Sequence, residues 1–148
     1  RPNCEISILP PPLPVLSINQ NTTENKPNKD QVVYLGNLLS HKNPLHLVKS
    51  LQFLENVELI VIGSGKEESV INQYLSENNL NDRVKLEHNL SDSEVSNYLK
   101  KADIFCMPSE YEAFGLVYLE ALDHGLPIVG FGPSIETIES EMGIKWKG

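Results

Sequence analysis

The sequence predicts an α/β domain of the Rossmann-like, doubly wound parallel-sheet type, and three observations carry that expectation. From residue 31 onward, five apolar runs of strand length alternate with four stretches of helical periodicity. The apolar runs are continuous rather than alternating, as strands buried on both faces require, and most end in glycine or a polar loop. The composition is that of an ordinary globular protein, 40% hydrophobic and 22% charged over 148 residues. A chain of that length is one domain's worth and buries roughly two thirds of its unfolded surface.

Taken in order, residues 1–16 hold a short apolar run and then Pro10, Pro11, Pro12 and Pro14. Such a cluster is extended and excluded from a central strand. Residues 17–30 are polar and read as an exposed loop, so the domain is expected over 31–148, with 1–30 leading into it. QVVYLG (31–36) is the first strand, followed by the loop NLLSHK. Asn43 suits an N-cap and Pro44 the first helical position, and Leu45, Val48, Leu51 and Phe53 mark the inward face of that helix. VELIVIG (57–63) is the second strand, closed by a Ser64-Gly65 turn. A helix over about 66–79 carries Val70, Ile71, Tyr74 and Leu75 on one face. VKLEH (84–88) is the third strand. Ser91-Asp92-Ser93-Glu94 is a capping box, opening a helix with Val95, Tyr98 and Leu99 inward. Residues 101–130 form a βαβ unit: a strand at 102–107, a loop with Pro108, Ser109, Glu110 and Glu112, a helix from about Gly115, and a strand at 127–130. Ser134 is expected to cap a short helix through Ile138, and 143–148 to be loop.

The net charge of −8 is dispersed along the chain. No basic face is available for nucleic acid, although a local cationic pocket for a phosphorylated small molecule is compatible with it. Cys106 is expected as a buried free thiol and Cys4 lies near the terminus. Neither suggests a disulfide scaffold, which favours a reducing cytosol. No run reaches 18 apolar residues, and no signal-peptide pattern is visible. Asn21-Thr22-Thr23 matches a glycosylation sequon by chance. Both ends read as cuts in a longer protein.

Ligands of a doubly wound sheet bind beyond the carboxyl ends of its strands. Gly36 and the loop after it place Lys42 just before a helix N-terminus, where an ammonium beside free N–H groups holds a phosphate well; a solvated lysine is the alternative. Gly63 and Gly65 allow close backbone approach to a ligand, but lack the third glycine of the dinucleotide fingerprint and fit a plain tight turn equally. His88 ends the third strand, facing either the same cleft or solvent. His41 and His124 have no companions at metal-ligand spacing, so no zinc site is expected. Glu112 and Glu120 stand apart, as two carboxylates in one loop-plus-helix unit. Segment 116–122 is apolar almost all round and reads as a buried helix. A lone carboxylate there costs several kcal/mol, very roughly, without a partner. Helix capping by Glu112 and a structural cation for Glu120 are the alternatives to a functional pair.

At these residues, PSEYEAFGLVYLEALDHGLPIV resembles the signature of the group 1 (GT4-type) retaining glycosyltransferases, whose architecture joins two Rossmann domains (GT-B). Two glutamates separated by seven residues, here Glu112 and Glu120, are its mark. The likeness runs from about Gln31 to Ile138 and includes the Lys42 loop, the VIGSG turn and Glu136. It implies a C-terminal domain that binds a nucleotide-sugar donor, with no cofactor and no metal. Lys42 would neutralise the diphosphate, and amides near Phe114, Gly115 and Leu116 would meet the sugar and phosphate. Glu112 would accept hydrogen bonds from the transferred sugar and Glu120 from the ribose. Gly36 and Asn37 would line the donor site, while the loops at 63–65 and 87–90, with His88, would border the nucleobase. The family usually has an arginine where this sequence has Asn37.

The resemblance further implies that the acceptor domain and the last helices lie outside the chain, leaving the fragment inactive alone. The acceptor (lipid, glycan or small molecule) stays open, and the setting is cytoplasmic, with room for peripheral association at the membrane. Alternatives are a non-catalytic sugar-nucleotide-binding module, which Asn37 favours, or another GT-B enzyme such as an epimerase or phosphorylase.

Overall fold

The computed structural model describes residues 29–112, 115–130 and 136. The proline cluster, Cys4, Phe114, the Ser134 cap and the closing loop lie outside the described residues.

Five strands form one parallel sheet: β1 (Asp30–Leu35), β2 (Val57–Ile62), β3 (Val84–Glu87), β4 (Ile104–Met107) and β5 (Ile128–Gly130). Their order is β3-β2-β1-β4-β5. The helices between them are α1 (Pro44–Ser50), α2 (Glu68–Glu77), α3 (Asp92–Lys101) and α4 (Leu116–Asp123). The chain winds outward from β1 to β3, and α3 then carries it back to β4 on the other side of β1. Strand order therefore reverses between β1 and β4, the switch point where such sheets open a crevice. Right-handed crossovers place α1 and α2 on one face and α3 and α4 on the other.

The strands form where β-branched and leucine residues bury both faces. Val33, Leu59, Ile60, Val61 and Ile62 are all buried, with Val33 level with Ile60 and Phe105 across the ladder. Cys106 is a buried thiol, as expected, and burial pushes its ionisation up to about 11. Hydrogen bonding continues past the strand ends: Gly36 N–H to the Ile62 carbonyl at 3.0 Å, Leu38 N–H to Ser64 at 2.9 Å, and Gly63 N–H to Glu87 at 2.9 Å. The loops at the carboxyl edge of β1, β2 and β3 are thus stitched into one surface.

The α3 capping box forms as expected. Ser91 Oγ accepts from Glu94 N–H at 3.4 Å, and Glu94 Oε2 accepts from Ser91 N–H at 2.8 Å. The Ser91 hydroxyl, which donates to Glu94 Oε2 at 2.6 Å, and then the Ser91 N–H hold the Glu94 carboxyl below the usual carboxylate range. Other expectations are corrected. Phe53 is 86% exposed, because α1 ends at Ser50 and a 3-10 turn over Leu51–Phe53 buries Leu51 and swings Phe53 outward. On α2, Ile71 and Leu75 are buried four residues apart, which leaves Val70 on the open side. Asn43 holds the N-cap position of α1 but its side chain makes no cap bond.

Candidate functional site

β1 and β4 pair side by side, so the loops that leave their carboxyl ends meet over the switch point. After β1 the chain passes Gly36 and the exposed Asn37 into a 3-10 turn over Ser40–Lys42. After β4 it runs through Pro108 and Ser109 to Glu112, and α4 starts after Gly115. The two loops bring together two separately named candidates, Lys42 and Glu112, rather than the expected pair of Glu112 with Glu120: Lys42 Nζ donates to Glu112 Oε1 at 2.7 Å, with the side chains 17% and 12% exposed. Glu112 therefore forms a charge-assisted contact across the crevice with Lys42.

Side chains beneath this pair shape both loops. Tyr34 is fully buried and its hydroxyl donates to the Asn37 carbonyl at 3.0 Å. Tyr118, on α4, donates to the Met107 carbonyl at 2.8 Å and meets the Phe105 ring edge to face. Burial first, and then the Glu112 charge, raise the ionisation of both hydroxyls far above the ordinary tyrosine value. Both stay neutral donors at any physiological pH. Ser109, 2% exposed, donates from Oγ to the Tyr111 carbonyl at 2.8 Å, folding the β4–α4 loop back on itself. The same loop is tied to the β1–α1 loop by Glu110 N–H, which donates to the His41 carbonyl at 2.8 Å. Sequence reasoning gave Tyr34, Tyr118 and Ser109 no role. A hydroxylated ring inside an aliphatic strand and another inside an apolar helix were the available signals, since buried tyrosines seek a partner.

Gly63 and Gly65 serve the neighbouring loop. A Cβ on Gly63 would sit against the Gly36 carbonyl, with the Gly36 carbon at 2.9 Å, and one on Gly65 would meet the Leu38 backbone. The turn is glycine because the β1 and β2 loops approach backbone to backbone. His88 is half-buried and holds this turn: its Nδ1 lies 2.6 Å from the Gly63 carbonyl and its Nε2 3.3 Å from Glu68. A carbonyl only accepts, so Nδ1 carries the hydrogen.

Glu120 is exposed, which corrects the expectation of a buried carboxylate. Tyr118, Leu119 and Ala121 turn toward the sheet, whereas Leu116 and Glu120, one turn apart, share the open side of α4. An eight-residue helix packed on one face has room for a solvent-facing acid even in an apolar stretch. Its carboxyl is still pushed up, first by partial desolvation and then by Asp92 at the start of α3, with His124 opposing. His124 itself joins the two helices, with Nε2 2.8 Å from Ser96 Oγ. Glu120 thus stands with the α3 terminus, and no bond joins it to the Lys42–Glu112 pair among the described residues. The described residues gather no three histidine, cysteine or carboxylate side chains able to hold a metal. None of their helices is long and apolar enough to cross a membrane.

The arrangement offers an ammonium for an anion and a carboxylate for hydroxyl donors, side by side at the carboxyl edge. A glycosyltransferase of uncharacterised specificity from Haemophilus influenzae is 34% identical over 107 residues, 70% of this chain and 30% of its own. The MMP alpha-(1->4)-mannosyltransferase of Mycolicibacterium hassiacum is 34% identical over 85 residues, 57% of this chain and 21% of its own. This chain therefore spans less than a third of either relative. Among solved structures, Anabaena HepE in complex with UDP and glucose superposes with a TM-score of 0.67 at 22% identity, covering 75% of this chain and 32% of that one. The C-terminal domain of the group 1 glycosyl transferase LpcC from Francisella tularensis gives 0.62 at 20% identity, over 71% of this chain and 59% of that one. At such identities these two likenesses speak for the fold. The pattern describing the glycosyl transferases group 1 matches residues 17–135, and the chain belongs to that family.

Proposed function

We propose that this chain is the donor-binding domain of a retaining, metal-independent glycosyltransferase of GT-B architecture. The observation that carries the reading is the Lys42–Glu112 contact at 2.7 Å across the switch point. In this reading the Lys42 ammonium neutralises the leaving diphosphate, the charge that develops as the glycosidic bond breaks. Amides at the start of α4, around Gly115 and Leu116, add the positive end of a helix dipole. Glu112 accepts hydrogen bonds from the transferred sugar, whose ring carries oxocarbenium character in the transition state. Glu120, on the open side of α4, accepts from the ribose hydroxyls.

The UDP and glucose bound by HepE support a nucleotide-sugar donor. The likeness to a C-terminal domain supports the same placement for this one. The acceptor site belongs to a partner domain, so the 148-residue chain alone does not transfer sugar. A cytoplasmic protein, peripheral to the membrane where its acceptor is a lipid, completes the reading. A second reading, a binding module without transfer, is favoured by Asn37, which leaves the diphosphate without the usual arginine.

The test is a calorimetric panel of UDP-, GDP- and ADP-sugars against the full-length protein and its Lys42→Ala variant. One nucleotide class should bind, and Lys42→Ala should weaken it by about tenfold or more, the worth of a charge-assisted hydrogen bond. A flat wild-type response removes the donor-site reading. Binding without turnover selects the non-catalytic module.

A further inference from the structure

Asn43 closes the 3-10 turn that carries Lys42 and stands at the threshold of α1, in a left-handed backbone conformation (φ 52°, ψ 37°). Asparagine is an ordinary N-cap residue, yet this side chain makes no cap bond to the helix backbone and turns its Nδ2 to the neighbouring loop. Nδ2 lies 3.0 Å from the Pro108 carbonyl and 3.3 Å from Glu110 Oε1, and Oδ1 lies 3.0 Å from His46 Nδ1. Chemistry settles which way the amide faces. A carbonyl and a carboxylate only accept, so the NH2 group must point at them, and Oδ1 takes the His46 N–H.

Beside this contact, Glu110 N–H donates to the His41 carbonyl at 2.8 Å. His41 and Asn43 flank Lys42 in the sequence, and Glu110 lies two residues before Glu112. The two cross-links therefore flank Lys42 on its own loop and fasten the opposite loop just ahead of Glu112. We propose that Asn43 is a positioning residue, whose amide clamps the β1–α1 loop to the β4–α4 loop and so sets Lys42 against Glu112. The inference rests on the reading of Lys42 and Glu112 as donor contacts. It extends that reading to a residue that touches neither the donor nor the reacting atoms.

A purely local role is the competing explanation, since asparagine tolerates the left-handed region better than most residues. Two variants separate the roles. Asn43→Gly keeps the backbone conformation and deletes the amide. Asn43→Asp keeps size and local preference, but sets an oxygen against the Pro108 carbonyl and a negative charge against Glu110. A backbone role leaves both variants like wild type; a clamp is lost in both.

The experiment uses the full-length protein and three readouts: amide exchange in the peptide containing Glu110, kcat and KM for the nucleotide sugar, and nucleoside diphosphate binding. Both variants should melt near wild type and exchange faster at Glu110. Their kcat should fall about tenfold, the scale of a small misplacement of reacting groups. Nucleoside diphosphate binding should change less than kcat, since Lys42 is still present. Asn43→Asp combined with Glu110→Gln restores a donor–acceptor pair and should recover part of the loss. The clamp is overturned if exchange and kcat match wild type in both single variants, or if both variants simply unfold. Should wild type itself ignore every nucleotide sugar, the donor reading fails, and faster exchange at Glu110 still upholds the loop clamp.

Discussion

Replacing Glu112 with glutamine separates two effects that the wild-type site combines. The carboxylate already lies 2.7 Å from the Lys42 ammonium, so a diphosphate approaching that lysine meets a negative charge beside its own counter-ion. Two like charges about 5 Å apart repel by ~3 kcal/mol at an effective dielectric near 20. The pair is 17% and 12% exposed, so solvent and salt screen part of this and about 1–2 kcal/mol remains. Glu112→Gln should therefore bind the free nucleoside diphosphate about 5- to 30-fold more tightly than wild type. Transfer should move the other way. A hydrogen bond from a sugar hydroxyl to a carboxylate is worth about 1.5–3 kcal/mol, so turnover should fall about ten- to a hundredfold. Calorimetry with the diphosphate alone and steady-state transfer in the full-length protein read the two effects separately. If Glu112→Gln binds the diphosphate no more tightly than wild type, Lys42 does not meet that group and the assignment collapses.

Gly63→Ala should cost about 1–3 kcal/mol, because the new Cβ meets the Gly36 carbonyl and backbone cannot yield as a side chain does; an unchanged urea midpoint would show that the two loops separate freely. Glu120→Gln should weaken nucleotide binding and yet melt slightly higher at neutral pH. Its folded carboxyl titrates above the unfolded one, so stability is greatest below the unfolded value and is lost as pH rises through the folded one. Thermal melts across that range should show the dependence in wild type and its absence in the variant. Ser91→Ala should cost roughly 1 kcal/mol at neutral pH. The Glu94 carboxyl in that capping box is depressed, so its contribution is present above the unfolded carboxylate value and fades as pH falls. A Ser91→Ala deficit that persists undiminished at acid pH would detach the cap from Glu94.

Features legible in the sequence are those decided within a few neighbouring residues or by burial on both sides. The continuous apolar runs of β1 and β2 announce parallel strands because only a sheet covered on both faces tolerates them. The Ser91–Glu94 box announces the start of α3 because both partners lie within one turn. The group 1 resemblance names Lys42 and Glu112 one by one, whereas their contact at 2.7 Å joins loops 70 residues apart and appears only in the fold.

Tertiary structure decided what depends on distant chain. Glu120 sits in an apolar stretch, yet it faces solvent, because which side of α4 meets the sheet is set by β4 and not by α4 itself. Gly63 and Gly65 in isolation fit a ligand's approach and a plain tight turn equally; only the neighbouring β1 loop reveals what they make room for. Asn43 reads as a helix cap, and 65 residues separate it from the Pro108 carbonyl that its amide finds. Side-chain identity and local spacing are written along one dimension. Which loops meet over the β1–β4 switch point follows from the strand order, and there two distant segments become one site.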